Sequence, residues 1–229
     1  MATTEVKLHI RTWAEAESSE SRVDELGYGG PTIELNGKAL PTPEGGSKGN
    51  HGFQVVAIDA AAEDMTDPGS ILLNEYHYLP KVRGALGHYE PKHYERMYRQ
   101  MIHALLGAGD PGCQRVFIVG YGLDARTAPP VEACKYLIGL GAGPKLQEWA
   151  STSWAEGWSD YYIEYPACYV LIGASGFGYG QGVEAYAGST WRQWSKTDQR
   201  LELNVTLQNT PPAPRRPHPA HAPGSVGVT

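Results

Sequence analysis

Six aromatic side chains crowd one stretch of the sequence, WASTSWAEGWSDYYIEY (149–165): Trp149, Trp154, Trp158, Tyr161, Tyr162 and Tyr165. Tyr and Trp join an apolar ring to a polar edge, so a row of them offers a flat surface to the C–H face of a sugar ring or to a partner protein. Alternate burial along an extended segment, with half of the rings in the core, suits the same spacing, and the residues alone leave both readings open. Asp160 and Glu164 in this stretch could flank a glycosidic bond as an acid and a base or nucleophile; two solvated acids fit the spacing as well.

Other combinations point away from catalysis. The run GASGFGYGQG (173–182) is Gly-rich, yet it lacks the Lys-Ser/Thr of a phosphate loop and opens no clear helix, so it reads as a hairpin or edge loop. Of the eight His, His88 and His93 lie five apart and His77 falls on a strand; none has a second His four residues on with a Glu between. No Ser sits in a nucleophile elbow and no Cys pairs convincingly with a His. Neither a metal nor a cofactor is therefore expected, and the chain reads as a non-enzyme. Cys113, Cys134 and Cys168 are widely spaced, which predicts buried free thiols and folding in a reducing cytosol. Asn204-Val205-Thr206 is a glycosylation sequon, meaningful only in a secreted chain.

Charge and hydropathy narrow the partners. The formal charge of −6 gives no cationic excess to displace counterions from phosphates, so nucleic acid is not an expected partner. No apolar run is long enough to cross a bilayer, and membrane insertion is not expected. The start, MATTEVKLHIRTW, alternates like a strand instead of showing a basic end followed by an apolar stretch, so no secretory leader is expected.

These residues must be positioned by short elements, since Gly (28) and Pro (17) punctuate the chain of 229 residues. Val6, Leu8 and Ile10 predict a strand, followed by an acidic, Ser-rich stretch over 14–25 that reads as a solvated loop or short helix. Thr32–Leu35 is a second strand, closed by the tight-turn pair Asn36-Gly37. A loop of turn formers over 41–52 precedes a buried strand, Phe53–Asp59, whose expected partner is Ile71–Tyr78. Pro91–Leu106 is the clearest helix, with Tyr94, Met97, Tyr98, Met101, Ile102 and Leu105 at helical spacing. RVFIVGY (115–121) predicts a central strand. A helix after Pro129-Pro130 should bury Val131, Cys134, Leu137 and Ile138, a short third helix fits 145–150, and 169–173 and 201–207 complete the strands. From Pro211 the composition allows no core, only an extended or disordered arm.

IELNGK (33–38) with GNHGFQVVAID (49–59), RVFIVGYGLDAR (115–126), and VEACKYLIGLGAG (131–143) with CYVLIGASGFGYG (168–180) together resemble the interleukin-like epithelial–mesenchymal transition inducer domain, over roughly 31–186. The resemblance implies an α+β fold: antiparallel β-sandwich-like sheets flanked by two or three helices, here with extended N- and C-terminal arms. It divides the chain into an N-terminal strand and acidic loop (1–30), the domain (31–208) and a Pro-rich arm (209–229). Members of that family include secreted signalling proteins, a sugar-binding stem domain of a glycosyltransferase, and phage proteins, so fold does not choose the function. By likeness to the sugar-binding member, Asp124 occupies the place of its ligand-holding Asp. His51 stands where the family usually carries an Arg, and the family's later Arg falls near Pro166. Asp124 and Arg126 would offer an acceptor and a fork of donors to neighbouring hydroxyls, with Trp154, Trp158 or Tyr161 stacking on the ring.

The leading expectation is a non-enzymatic structural or recognition component of a phage virion, a capsid decoration or a tail-associated part, assembled in the host cytoplasm. Its arm, with Arg215, Arg216 and His218, would dock on neighbouring subunits, and a cell-surface glycan would be a second partner. Two other expectations stand beside it: an extracellular cytokine-like or lectin-like signalling protein, and a small glycoside hydrolase using Asp160 and Glu164.

Overall fold

The computed structural model describes residues 5–14, 30–43, 51–79, 91–124, 128–155, 166–188 and 199–208. Strict alternation builds the first sheet. Glu5–Ala14 forms β1, with Val6, Leu8 and Ile10 buried and Lys7, His9 and Arg11 on the other face. β1 pairs antiparallel on one side with β2 (Thr32–Leu35) and on the other, along its whole length, with β9 (Gln199–Gln208). The two-residue β3 (Lys38–Ala39) completes the order β3-β2-β1-β9. Asn36 and Gly37 both take positive φ (50° and 76°), the turn geometry that suits Asn-Gly and matches the twist of the flanking strands. The N-terminal strand, set apart in the sequence as part of 1–30, is thus a middle strand of this sheet.

The second sheet has five antiparallel strands in the order β5-β4-β6-β7-β8: β4 (His51–Asp59), β5 (Ile71–Leu79), β6 (Gln114–Asp124), β7 (Pro166–Ala174) and β8 (Val183–Gly188). Its three inner strands, β4, β6 and β7, read as apolar runs because both of their faces are covered. Val56, Ile58, Phe117, Val119, Val170 and Ile172 meet Val6, Leu8, Ile10, Ile33 and Leu35 between the sheets. Val55, Val116, Ile118 and Leu171 face the other way, against Met97, Met101 and Leu105 of α1 (Pro91–Gly107), Leu137 of α2 (Val131–Gly139) and Trp149 of α3 (Pro144–Ala155). The result is an α+β sandwich of two sheets with helices over the outer face of the larger one. Gly173 has a specific reason to be glycine: a Cβ there would strike the Leu140 carbonyl at the end of α2.

Three local expectations change. Val131 is 60% exposed, and α2 buries Ala133 and Leu137 instead. The residue opens the helix after Pro130, one turn ahead of the stripe that meets the sheet. α3 runs on to Ala155 rather than stopping at 150. β8, with its half-buried VEAYAG, had no alternating signature and emerges only as the pairing partner of β7. The acidic stretch 15–29 and the arm 209–229 lie outside the described residues.

Candidate functional site

The strand ends sort into two poles. At one pole the chain turns tightly: at Asn36-Gly37, at the 3₁₀ turns Pro68–Ser70 and Pro111–Cys113, at Leu140–Gly143, and through 175–182 between β7 and β8. Asp67 and Asp110 each accept a hydrogen bond from the backbone N–H two residues on (2.8 and 2.9 Å), which fixes the two 3₁₀ turns. Glu5 pairs with Gln208 at this pole, so the chain leaves β9 here toward the arm.

The opposite pole gathers the candidate residues. His51 opens β4 across from Leu79; Gly52 pairs with Tyr121 and Asp124 with Pro166. Two contacts tie the end of the smaller sheet to the same level: Thr12 Oγ1 donates to the Gly120 carbonyl (2.7 Å), and Cys168 Sγ to the Gln199 carbonyl (3.5 Å). A bulge between Gly120 and Leu123 redirects the last residues of β6, the device by which a strand end is re-aimed. α3 runs toward this pole and carries Trp154 in its last turn. Its first turn is held near β8 by Glu184, which accepts from the N–H groups of Gly143, Lys145 and Leu146 and from the Tyr169 hydroxyl. The backbone positions of His51 and Asp124 are thus neighbours at one sheet end, and Trp154 approaches from the helix layer. Arg126, Trp158, Tyr161, Arg215, Arg216 and His218 lie outside the described residues, as do Asp160, Glu164 and His88.

Beneath this pole lies an aromatic floor that answers one part of the question raised by residues 149–165. Trp149 is fully buried, 5.3 Å from Tyr169, 6.0 Å from Tyr186 and 6.2 Å from Phe53 between ring centroids. That ring belongs to the core. Phe53 in turn tilts against Tyr98 at 5.5 Å. Burial raises the Tyr98 and Tyr169 hydroxyls far above the usual tyrosine range, so both stay neutral. On the inter-sheet side, the Tyr121 hydroxyl and Gln54 Oε1 are buried without a hydrogen-bond partner, beside Tyr76 and Asn74.

Sequence reasoning missed a second polar surface. On the outer face of the smaller sheet, His9 Nε2 lies 2.8 Å from Glu202 Oε1, and its Nδ1 lies 3.6 Å from Glu34. Arg11 reaches Glu34 at 3.4 Å and Thr32 at 3.2 Å. Lys7, His9, Glu34, Asn204 and Thr206 line a shallow hollow there. The alternation of residues 5–14 and 201–207 placed each of these on a polar face, but only the β1–β9 pairing brings His9 to Glu202.

Burial pushes the Cys168 and Cys134 thiols up, and desolvation followed by the Asp110 and Asp59 carboxylates does the same for Cys113. All three cysteines are free, but only Cys168 is buried; Cys134 is half-buried and Cys113 is exposed, against the expectation of three buried thiols. Among the described residues, no three His, Cys, Asp or Glu side chains gather as a metal site would require, and no helix is long and apolar enough to cross a membrane. Comparison of the chain with known protein families gives no match, and comparison with curated proteins gives none either.

Proposed function

We propose that the protein is a non-enzymatic structural and recognition component of a phage particle, built to work through its two poles. The arm 209–229, with Arg215, Arg216 and His218, docks on neighbouring subunits from the tight-turn pole. The opposite pole, where the backbones of His51 and Asp124 share one sheet end and toward which α3 carries Trp154, recognises a cell-surface glycan. One observation carries this reading: β1 and β9 pair from end to end, so the arm leaves the sandwich at the pole opposite His51 and Asp124. Attachment and recognition then do not compete for one surface. Free thiols support assembly in a reducing compartment. The likeness of 33–59, 115–126 and 131–180 to a domain found in phage proteins supports the particle.

Light scattering after size-exclusion chromatography tests the assembly role. The full chain should form a large assembly, and a chain lacking 209–229 should lose it while melting within a few degrees of the parent. Normal assembly by the shortened chain would remove the arm from the account. A glycan array tests recognition, with Asp124→Ala and Trp158→Ala as folded variants that should lose binding. No glycan bound by the assembled parent would leave the structural role alone.

A further inference from the structure

The open edge of β9 differs from every other sheet edge in the fold. β3 is two residues long, β5 carries a bulge opposite Ala57 and Ile58 and is backed by α1, and β8 is six residues long and flanked by α3. Short strands, bulges and covering helices are the devices that keep a sheet edge from pairing with another chain. Among the described residues, β9 has none of them. It runs for ten residues in unbroken register with β1 and contains no Pro, Gly or Lys. Among the described residues it pairs with β1 alone. Its inward row is also incompletely covered: Leu201, Leu203 and Val205 stay half-buried, whereas Val6, Leu8 and Ile10 of β1 are buried.

The direction of its backbone groups follows from one pair of contacts. Lys7 N donates to Asn36 Oδ1 and Asn36 N donates to the Lys7 carbonyl, so the Lys7 backbone faces β2. Antiparallel ladders alternate, which turns His9 and Arg11 the same way. Their partners across β1–β9 are Thr206, Asn204 and Glu202, and these therefore aim their N–H and C=O groups at the open edge. Leu201, Leu203 and Val205 spend theirs on β1.

We propose that this edge is the contact through which two copies of the chain pair, β9 against β9 around a two-fold axis at Asn204, joining the two small sheets into one continuous sheet. In that register Asn204 faces the partner's Asn204, and Glu202 faces the partner's Thr206. Each opposed pair exchanges two backbone hydrogen bonds. On the inner face Leu203 meets the partner's Val205, covering the half-buried row. No like charges face each other. Shifting the axis to Glu202 would oppose two carboxylates, and a one-residue slip would exchange the inner and outer faces; pairing about Asn204 has neither fault. The contact is isologous and closes as a dimer. It does not rest on the phage reading.

The test uses the full chain, by sedimentation equilibrium across a range of concentrations. The parent should show a concentration-dependent dimer, or a larger assembly built from it. Asn204→Lys places two ammonium groups at the axis without touching the β1 ladder. It should weaken pairing by about tenfold or more while leaving the melting temperature and circular dichroism nearly unchanged. Asn204→Cys should form a covalent dimer on mild oxidation, beyond any that exposed Cys113 gives in the parent, because opposed residues in a hydrogen-bonded antiparallel pair sit about 5.5 Å apart. A parent that is monomeric at every concentration overturns the proposal. So does an Asn204→Lys chain that associates as strongly as the parent, or an Asn204→Cys chain that yields no added covalent dimer.

Discussion

β6, in the middle of the five-stranded sheet, turns Val116 and Ile118 to the helices and Phe117 and Val119 to the other sheet, and all four are buried. β9, at the rim of the four-stranded sheet, leaves Leu201, Leu203 and Val205 only partly buried, and Glu202, Asn204 and Thr206 exposed. The larger sheet is a shared wall between two cores. The smaller sheet is a lid with one dry face and one wet one. Stability therefore concentrates where strands are covered twice, while among the described residues the lid leaves its outer face and the β9 edge uncovered.

Four measurements would break or sharpen that contrast. Trp149→Ala should have the largest effect, about 3–5 kcal/mol by denaturant unfolding, since the ring fills the space between Phe53, Tyr169 and Tyr186. A loss below 1 kcal/mol would mean that α3 does not anchor the sheet. Ile118→Ala should cost about 2–5 kcal/mol and Leu203→Ala at most about 2, because Ile118 is fully buried and Leu203 only partly so. Equal losses at the two positions would erase the distinction between wall and lid. Glu184→Ala removes the acceptor for three N–H groups at the start of α3 and should cost about 0.5–2 kcal/mol.

The smallest effect concerns pH. Burial holds the His77 imidazole below its ordinary pKa, with Glu75 partly opposing the shift. In the unfolded chain His77 takes a proton near pH 6.5, while the folded protein resists it until lower pH. The unfolded state thus binds more protons in that window, and stability must fall as pH drops from about 7 through 6.5 toward the depressed folded value. His77→Gln should flatten this part of a melting-temperature profile. An unchanged slope in the variant would place the acid sensitivity elsewhere.

Much of the wall was legible from apolar runs. Phe53–Asp59, Ile71–Tyr78, 115–121 and 169–173 all became strands of the larger sheet, and Met97, Met101 and Leu105 packed α1 against it. The Asn36-Gly37 turn was equally legible, since its positive φ values demand those residue types. β8 was not, because a half-buried hairpin strand has neither an apolar run nor clean alternation. Of the candidate site, only the backbone positions of His51 and Asp124 and the helical setting of Trp154 can be placed. The aromatic run 149–165 concealed that its first member is core, because one period-3.6 turn of α3 faces the sheet.

By itself the sequence determined the local rules: which segments extend, which coil into helices, where Asn, Gly, Asp and Pro turn the chain, and which rows of side chains must be dry. Those follow from steric limits and from hydrophobic periodicity within a few residues. Only the tertiary structure decided that β1 runs beside β9, nearly the whole chain apart, and so set His9 against Glu202 and left one edge of β9 open. Alternating strands can pair with any other alternating strand. The choice is made by closing both sheets over a single inter-sheet core, a condition that no short window of sequence contains.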